Sequence, residues 1–243
     1  ELGIKESIVV NDRMETSVPD IYAAGDAVQV KHYVTGNDAL ISLAGPANKQ
    51  GRIIADNICG GGKCYFGGQG RPVIKVFDMT AATTGINETN AKKSGLEVDT
   101  VILSPMSHAG YYPGGKVMTM KVVFEKKTYR LLGAQIIGYE GVDKRIDVLA
   151  TAIHAGLKAT QLKDLDLAYA PPYSSAKDPV NMAGFMIDNI AKGTLKQWHL
   201  EDMDKISRDK SVVLLDVRTV GEFNRGHMDG FKNIPVDELR ERI

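Results

Sequence analysis

Residues 1–193 alternate between short apolar runs and longer stretches in which apolar residues recur periodically. Strands are predicted over the short runs, each bounded by turn-prone residues: Ser7–Val10, Asp20–Ala24, Val73–Phe77, Ala82–Ile86 and a run near Val101. Helices are predicted where the apolar spacing is three or four: from Pro46 to the glycines at 60–62, from Asn87 to Gly95, from Ile146 to Gly156, and from Asp178 to Gly193. Lys116–Ile137 alternates apolar and polar positions on both sides of a polar turn, which predicts an antiparallel hairpin.

Changes in composition divide the chain into three predicted domains. The glycine-rich stretch Gly60–Gly70 predicts one linker, and Thr194–His199 predicts a second. Strands followed by helices, rather than strict alternation, favour an α+β domain between the two linkers. Beyond the second linker we expect the opening of an α/β unit: a helix near Asp202–Ile206, a buried strand over Val212–Val217 and a helix near Val220–Asn224. The predicted domains are 1–62, 71–193 and 200–243.

Charge and composition limit the classes of partner. Lysine plus arginine and aspartate plus glutamate number 30 each, so no overall field attracts nucleic acid or an anionic membrane surface. No apolar run reaches the roughly 20 residues needed to cross a bilayer, and the first residues lack the order of a signal peptide. The two cysteines are too few for a disulfide framework, which fits a reducing compartment. We therefore expect a cytoplasmic protein without a nucleic-acid or membrane partner.

The run Thr16–Asp26, TSVPDIYAAGD, carries the clearest chemical signal. A predicted strand ends at Gly25, where the backbone can approach a ligand closely, and the carboxylate of Asp26 follows at the strand's C-terminal edge. An ionised carboxylate only accepts hydrogen bonds, so Asp26 suits the hydroxyls of a ribityl or ribose chain. Leu43 and Ala44 lead directly into the first predicted helix, whose free amides and positive dipole end favour an electron-rich ligand.

This run resembles the second flavin-binding motif of the pyridine nucleotide-disulfide oxidoreductase family, which is written around T-x-x-x-x-I-Y-A-A-G-D. The resemblance covers residues 1–193 and implies part of an α/β FAD-binding domain over 1–62 and an α+β dimerisation domain over 71–193. It implies five cofactor-binding residues: Gly25, Asp26, Ala27, Leu43 and Ala44. It also implies NAD(P)H as a substrate, bound through a domain that precedes Glu1.

Two further runs resemble loops of the coenzyme A disulfide reductases in this family: His108–Gly115 and Tyr169–Asp178. In those relatives, the loops carry tyrosines toward the thiol site of the opposite subunit. The resemblance implies catalytic roles for four tyrosines: Tyr111, Tyr112, Tyr169 and Tyr173. A phenol at such a site donates a hydrogen bond or a proton to a thiolate as a disulfide opens. Tyrosines beside prolines also serve as packing residues, and this alternative remains open at each position.

The implied activity is a FAD-dependent transfer of reducing equivalents from NAD(P)H to a disulfide or persulfide of coenzyme A or another low-molecular-weight thiol. Family members are dimers, so the resemblance implies a homodimer with an apolar two-fold interface on residues 71–193. One alternative is an NADH oxidase or peroxidase of the same fold. Another, from a different functional class, is a dimerisation module that binds no flavin.

The two cysteines, Cys59 and Cys64, have the C-x-x-x-x-C spacing of the family's dithiol members. They lie at a helix end and in a predicted linker, however, so we expect a structural role. No metal site is expected, because no further thiol or imidazole ligands lie nearby in the sequence. The nucleophilic cysteine is expected outside this sequence.

The segment Leu214–Pro235 resembles the opening of a rhodanese domain, which implies that residues 200–243 begin a rhodanese-like α/β domain. Four polar residues in this segment are expected to order a turn by hydrogen bonding: Asp216, Arg218, Glu222 and His227. The sulfur-carrying cysteine of such a domain is also expected outside this sequence, because no cysteine follows Cys64.

Overall fold

The computed structural model describes residues 1–242, which form two compact units, one over residues 1–194 and one from Leu195 onward. The first unit opens with three short strands and a helix: β1 (Ile8–Val9), β2 (Val28–Lys31), β3 (Asp38–Ala39) and α1 (Ala44–Ile58). β2 is the central strand, parallel to β1 and antiparallel to β3. α1 has Pro46 in its first turn, as the sequence predicts, and Ile53 and Ile54 pack against the apolar cluster of the small sheet.

The strand predicted over Asp20–Ala24 is reduced to one bridge between Glu15 and Tyr22. Gly25–Ala27 then forms a turn of 3₁₀ helix that leads into β2. A strand requires a ladder of hydrogen-bonded neighbours, and the segment around Glu15 supplies a single bridge. The prediction of a full strand is therefore wrong, and Asp26 precedes β2 rather than following a strand.

A five-stranded antiparallel sheet forms the centre of the first unit. Its strands are β4 (Val73–Val76), β5 (Met79–Gly85), β6 (Val98–Leu103), β7 (Met118–Glu125) and β8 (Leu131–Gly138). Their spatial order is β4-β5-β8-β7-β6, and the predicted hairpin is the β7–β8 pair. Met118, Met120, Val122 and Phe124 are all buried, as their alternation predicts.

Helices α3 (Val142–His154) and α4 (Pro179–Ala191) pack against one face of this sheet, while α2 (Glu88–Lys93) lies beside β6. Asn87 and Asp178 cap α2 and α4 with their side chains, as the sequence predicts. Leu149 of α3 and Ile187 of α4 are completely buried in the resulting core. Among residues 1–242, no helix combines the length and apolar character needed to cross a membrane.

The face opposite α3 and α4 is called the open face here, and Glu88 of α2 reaches it through an ion pair with Lys121. Two cross-strand rows of side chains define it: Ile74, Ala81, Ile137 and Thr119 in one row, and Thr83, Gln135, Lys121 and Ile102 in the other. Ile74, Ile102 and Ile137 are each exposed, and a shallow groove of about 440 Å³ lies over part of this surface. Four of these eight side chains are apolar and four are polar, and the exposed isoleucines supply the apolar part of the surface.

Residues 60–70 pack against the first unit and do not divide it. Gly68 forms a parallel bridge with His32, and the N–H of Tyr65 donates to the carbonyl oxygen of Asp12. Tyr33 stacks on His154 of α3 and donates its hydroxyl to the His154 carbonyl oxygen at 2.9 Å. The boundary between residues 62 and 71 remains a prediction.

The second unit contains short elements: α5 (Met203–Ile206), β9 (Leu215–Asp216), α6 (Val220–Arg225), β10 (Lys232–Asn233) and α7 (Leu239–Arg242). β9 and β10 pair in parallel. The buried strand predicted over Val212–Val217 is wrong in length and burial, since Val213 is 70% exposed. β9 has only β10 as a neighbour, and within the described part of this unit Met203 alone is buried, so there is no layer to cover the valines.

Candidate functional site

The turn Gly25–Ala27 lies against the first half of α1. The N–H of Gly25 donates to Oε1 of the fully buried Gln50 at 2.7 Å. Gly25 has φ of 77°, and a Cβ atom placed on it would lie 3.7 Å from the Cβ of Ala47, so the positive φ rather than lack of space favours glycine. Asp26 is exposed, and its carboxylate accepts no hydrogen bond from residues 1–242. This leaves the Asp26 oxygens available to a ligand.

The first turn of α1 has no side-chain cap. Leu43 is the N-cap residue and offers no side-chain acceptor, while Pro46 has no N–H. Within the described chain, the N–H groups of Ala44 and Gly45 have no acceptor, and both residues are exposed. These free amides and the positive end of a 15-residue helix favour an electron-rich group.

A cavity of about 670 Å³ opens beside this end of α1. Leu43–Pro46 contribute to its wall, together with the basic side chains of Lys49, Arg52 and Arg71, and no aspartate or glutamate lines it. Gly25–Ala27 do not line the cavity, although they contact the same helix through Gln50. The five predicted cofactor-binding residues therefore surround the beginning of α1 from two sides.

Two of the four predicted tyrosines are in direct contact. The hydroxyl oxygens of Tyr111 and Tyr169 lie 2.7 Å apart, and either one can be the donor. The hydrogen bond with Tyr111 raises the pKa of Tyr169, with a smaller contribution from desolvation. Both side chains are exposed. Because a mutual bond uses only one of the two hydroxyl protons, the other is free to be donated to a ligand.

The other two tyrosines have different surroundings. Tyr112 packs edge-on against the buried ring of His108, with ring centroids 5.6 Å apart. The Tyr173 side chain is exposed, and its carbonyl oxygen accepts a hydrogen bond from Arg145. Neither hydroxyl is joined to the Tyr111–Tyr169 pair by a hydrogen bond in the described residues. The catalytic roles of all four tyrosines remain predictions.

A buried ion pair contacts the bases of the two loops that carry the tyrosines, residues 104–117 and 165–178. Nη2 of Arg145, on α3, lies 3.0 Å from Oδ2 of Asp178, the N-cap residue of α4. The same Nη2 donates to the carbonyl oxygen of Ser107 at 2.9 Å, at the start of the first loop, and to Oγ of Ser174 at 3.2 Å, in the second. Ser174 Oγ in turn donates to Oδ2 of Asp178 at 2.6 Å. One guanidinium group therefore connects the two loops.

Sequence reasoning missed Arg145, although its position carried a signal. The buried stripe of α3 includes Val142, Ile146 and Leu149, and Arg145 falls on that stripe at helical spacing. A charged residue on the buried face of an amphipathic helix requires a partner of opposite charge. Asp178 was predicted only as the residue that opens α4, so the pair itself was not anticipated.

Residues 71–179, which include the five-stranded sheet and all four predicted tyrosines, match the family model of the pyridine nucleotide-disulphide oxidoreductase dimerisation domain. The chain belongs to the pyridine nucleotide-disulphide oxidoreductase family. The coenzyme A disulfide reductase of Staphylococcus epidermidis is 37% identical over 185 residues, which are 76% of this chain and 42% of that protein. The crystal structure of reduced Bacillus anthracis CoADR-RHD is 47% identical with a TM-score of 0.94, and the match covers 100% of this chain and 43% of that one. The NAD-dependent persulfide reductase from A. fulgidus is 41% identical with a TM-score of 0.91, over 100% of this chain and 44% of that one.

These matches confirm the family and the fold: a short α/β segment followed by an antiparallel sheet with helices. The chain spans less than half the length of these relatives, 42% to 44%. The family model ends at residue 179, so the rhodanese-like segment remains a prediction.

Both cysteines of the chain are free thiols. A hydrogen bond between Cys64 and Asp12 raises the pKa of the Cys64 thiol, and desolvation raises it further. A raised pKa lowers the fraction of reactive thiolate, which is the opposite of what a redox nucleophile requires. Cys59 is the exposed C-cap residue of α1. Residues 1–242 contain no group of three histidine, cysteine or acidic side chains arranged to hold a metal ion.

The predicted polar turn in the second unit is well ordered. Arg218 donates to both carboxylate oxygens of Asp216 and to the carbonyl oxygen of Gly226 at 2.9 Å. Hydrogen bonds from Arg218 hold the pKa of Asp216 below its usual value. Glu222 forms a capping box with Thr219 at the start of α6. These contacts give the polar side chains a structural role.

Proposed function

We propose that the full-length protein is a FAD- and NAD(P)H-dependent reductase of coenzyme A disulfide or of a coenzyme A persulfide. Its site combines the flavin-facing residues around α1 with the Tyr111–Tyr169 pair. The observation that carries the proposal is the 2.7 Å contact between the two hydroxyl oxygens. Two of the similar proteins are named for sulfur substrates: one is a coenzyme A disulfide reductase and the other a persulfide reductase. Both substrates contain a sulfur–sulfur bond.

The residues around α1 fit an isoalloxazine-bearing nucleotide. The carboxylate of Asp26 supplies acceptors for ribityl hydroxyls, and Gly25 and Ala27 flank it without bulk. The free amides that follow Leu43, beginning with Ala44, supply donors to an electron-rich pyrimidine. These residues would hold the flavin, which would supply the two-electron transfer between the nicotinamide and the disulfide.

The tyrosine pair supplies protons to the sulfur that leaves. Reduction of a disulfide by hydride and one proton yields two thiols, so one leaving thiolate must be protonated. The hydroxyl proton not used between Tyr111 and Tyr169 is available for this step, and a proton-donating side chain contributes about 10²–10⁴-fold to rate. In the proposed reaction, the enzyme thiol that exchanges with coenzyme A lies outside this chain, because Cys64 is deactivated and Cys59 ends a helix.

We also propose that the protein is a homodimer in which the open face of the sheet is buried against a second copy. The exposed isoleucines Ile74, Ile102 and Ile137 give this face an apolar surface. The matched family model is that of a dimerisation domain. A two-fold contact buries the same residues on both subunits, so each of these isoleucines would be buried once in each subunit.

The remaining parts of the proposal concern the domains and the compartment. Residues 1–62 belong to the FAD-binding domain and residues 71–193 to the dimerisation domain, while residues 200–243 begin a rhodanese-like domain. The Arg218–Asp216 pair and the following turn support the last assignment, because they order the segment as a structural network. The free thiols of Cys59 and Cys64 are compatible with the reducing conditions of the cytoplasm.

The proposal is tested by measuring NAD(P)H oxidation by the full-length protein with coenzyme A disulfide, coenzyme A persulfide, oxygen and peroxide as acceptors. We expect sulfur substrates to be preferred. Tyr111→Phe and Tyr169→Phe should each lower turnover of the disulfide by about 10²-fold, while flavin reduction by NAD(P)H is unchanged. Tyr139→Phe is the matched control, because Tyr139 is an exposed tyrosine outside both loops.

Two results would contradict the proposal. Faster turnover with oxygen or peroxide would favour an NADH oxidase or peroxidase. A purified full-length protein without flavin absorbance near 450 nm would favour a non-catalytic dimerisation module.

A further inference from the structure

Arg145 is the largest fully buried side chain of the protein, at 1% exposure. Desolvating a guanidinium group is costly, and a charge pair at such a site is often less stabilising than apolar residues of similar size. Arg145 nevertheless makes five contacts: with Asp178 at 3.0 Å, Ser107 O at 2.9 Å, Ser174 Oγ at 3.2 Å, Gly141 O at 3.2 Å and Tyr173 O at 3.3 Å. All of these partners are oxygen atoms, and each of the three guanidinium nitrogens has at least one acceptor.

The contacts of Arg145 reach both tyrosine loops. The first loop, residues 104–117, joins β6 to β7 and carries Tyr111. The second loop, residues 165–178, precedes α4 and carries Tyr169. The loops also meet directly, since the N–H of Ala109 donates to the carbonyl oxygen of Ser174 at 3.0 Å. Arg145 therefore contacts both loops close to the place where they touch each other.

The second loop is tied to α3 at a further point. Lys144, the neighbour of Arg145, donates its Nζ to the carbonyl oxygen of Ala168 at 3.4 Å, immediately before Tyr169. The first loop is closed at its base by a hydrogen bond from the N–H of Ser107 to the carbonyl oxygen of Lys116 at 2.7 Å. Each tyrosine is thus within four residues of a backbone atom that is fixed to α3 or to Arg145.

The contacts require the shape of an arginine. A guanidinium group is planar and presents five N–H donors in fixed directions, whereas a lysine ammonium is a single point with three donors. Arg145 uses Nε for Asp178, Nη1 for Gly141 and Nη2 for the loop oxygens of Ser107, Tyr173 and Ser174. Lysine at position 145 retains the charge beside Asp178, but its single nitrogen with three donors cannot make all of these contacts at once. Loss of these contacts frees the loops while the ion pair is retained.

We propose that Arg145, neutralised by Asp178, is a positioning residue that holds the two loops in the register at which the hydroxyls of Tyr111 and Tyr169 meet. This inference rests on the proposed function, because it assigns a purpose to the tyrosine pair in reducing a sulfur–sulfur bond. Arg145 is buried and does not touch the substrate.

The test uses Arg145→Lys in the full-length flavin-loaded protein. We expect its kcat with coenzyme A disulfide to fall by about 10-fold to 100-fold, because a displacement of about 1 Å at a reacting group costs on this order. The KM for NAD(P)H and the rate of flavin reduction should stay within about 2-fold of the wild type, because the loops take part in neither NAD(P)H binding nor flavin reduction. In a Tyr111→Phe background, Arg145→Lys should lower this kcat by less than about 3-fold further, because both changes act on the same pair of tyrosines.

A second readout is independent of turnover. Tyrosines labelled with ¹³C at Cζ report the ionisation of each phenol, and the hydrogen bond with Tyr111 raises the pKa of Tyr169 in the wild type. Arg145→Lys and Tyr111→Phe should both lower this pKa. Asp188→Asn is the matched control, because Asp188 lies on α4 and its ion pairs are with Lys163 and Lys192, neither of which is in either loop.

The outcomes separate this inference from the proposed function. A wild-type protein that reduces no sulfur substrate overturns the proposed function, while the tyrosine titration still decides the role of Arg145. If Arg145→Lys retains wild-type kcat and the wild-type titration of Tyr169, the positioning role is overturned and the proposed function stands. If Arg145→Lys does not fold, Asp178→Asn replaces it with the same expectations. Failure of both variants to fold makes Arg145 a purely structural residue and overturns the inference.

Discussion

The open face of the sheet makes a quantitative prediction about assembly. Ile137 lies at the centre of one cross-strand row, between Ala81 and Thr119, and is 44% exposed. If a second copy covers this face, Ile137→Lys places an ammonium group at the two-fold interface of each subunit. The change should raise the dissociation constant of the dimer.

The magnitude follows from the exposed area of Ile137. Full burial of an isoleucine side chain is worth about 1.5–3 kcal/mol, so covering the exposed 44% is worth about 1 kcal/mol. Two-fold symmetry doubles the value to about 2 kcal/mol per dimer, which corresponds to about a 30-fold rise in the dissociation constant. The introduced lysines add the cost of burying two like charges, one from each subunit. The estimate of about 30-fold is therefore a minimum.

Sedimentation equilibrium of the full-length protein and its variants measures this dissociation constant. Ile137→Ala should show the apolar loss alone, and Ile137→Lys a larger one. Ile58→Lys is the control, because Ile58 is a more exposed isoleucine at the end of α1 and lies outside the sheet. A wild-type dimer that survives Ile137→Lys unchanged would show that the open face is not the interface.

Three further predictions concern single sites. Asp26→Ala removes the acceptor for the ribityl hydroxyls and should weaken flavin binding by about 10-fold to 100-fold, measured by flavin titration at 450 nm; undiminished affinity would contradict the assignment. Cys59→Ser with Cys64→Ser should keep turnover within about 2-fold, and inactivation would give these thiols a redox role. Hydrogen bonds from Lys121 and Lys92 lower the pKa of Glu88 from 4.5 to about 2. The Glu88 carboxylate therefore stabilises the fold above pH about 4.5, and this contribution is lost as the pH falls toward 2. Glu88→Gln should reduce the fall in Tm across that interval, and an unchanged slope would refute the ion-pair assignment.

The elements that could be predicted from sequence are those with local end signals. Asn87 caps α2 by accepting from the N–H of Asn90, and Asp178 caps α4 by accepting from that of Val180. Gly156 and Gly193 have positive φ just beyond the ends of α3 and α4. These signals depend on a few neighbouring residues, so one sequence contains them in full.

The two wrong strand predictions share a physical cause. Asp20–Ala24 and Val212–Val217 have apolar and β-branched residues typical of strands, but strand structure also needs a neighbour at hydrogen-bonding distance. Glu15 provides the first run with a single bridge, and β10 pairs with only two residues of the second. Apolar content reports the tendency to be extended and buried, and it carries no information about which neighbours are present.

The candidate site was predictable in its residues and not in its geometry. Tyr111 and Tyr169 are 58 positions apart, and the sequence pattern does not distinguish them from Tyr112 and Tyr173. The selection of one pair depends on how the loops are anchored, which depends on Arg145. An arginine on an apolar helix stripe signals a buried partner, but the partner is found only from the tertiary fold.

The burial of Arg145 and Asp178 is difficult to explain by stability alone. A leucine at position 145 would avoid the desolvation of a guanidinium group, and α4 needs only an uncharged cap such as asparagine at position 178. Apolar packing has no preferred direction, however, and could not bind the Ser107 and Ser174 oxygens at fixed angles. A directional group is needed where two loops must present exposed phenols within hydrogen-bonding distance of each other. The cost of burying the pair is consistent with selection for the geometry of the site rather than for the stability of the fold.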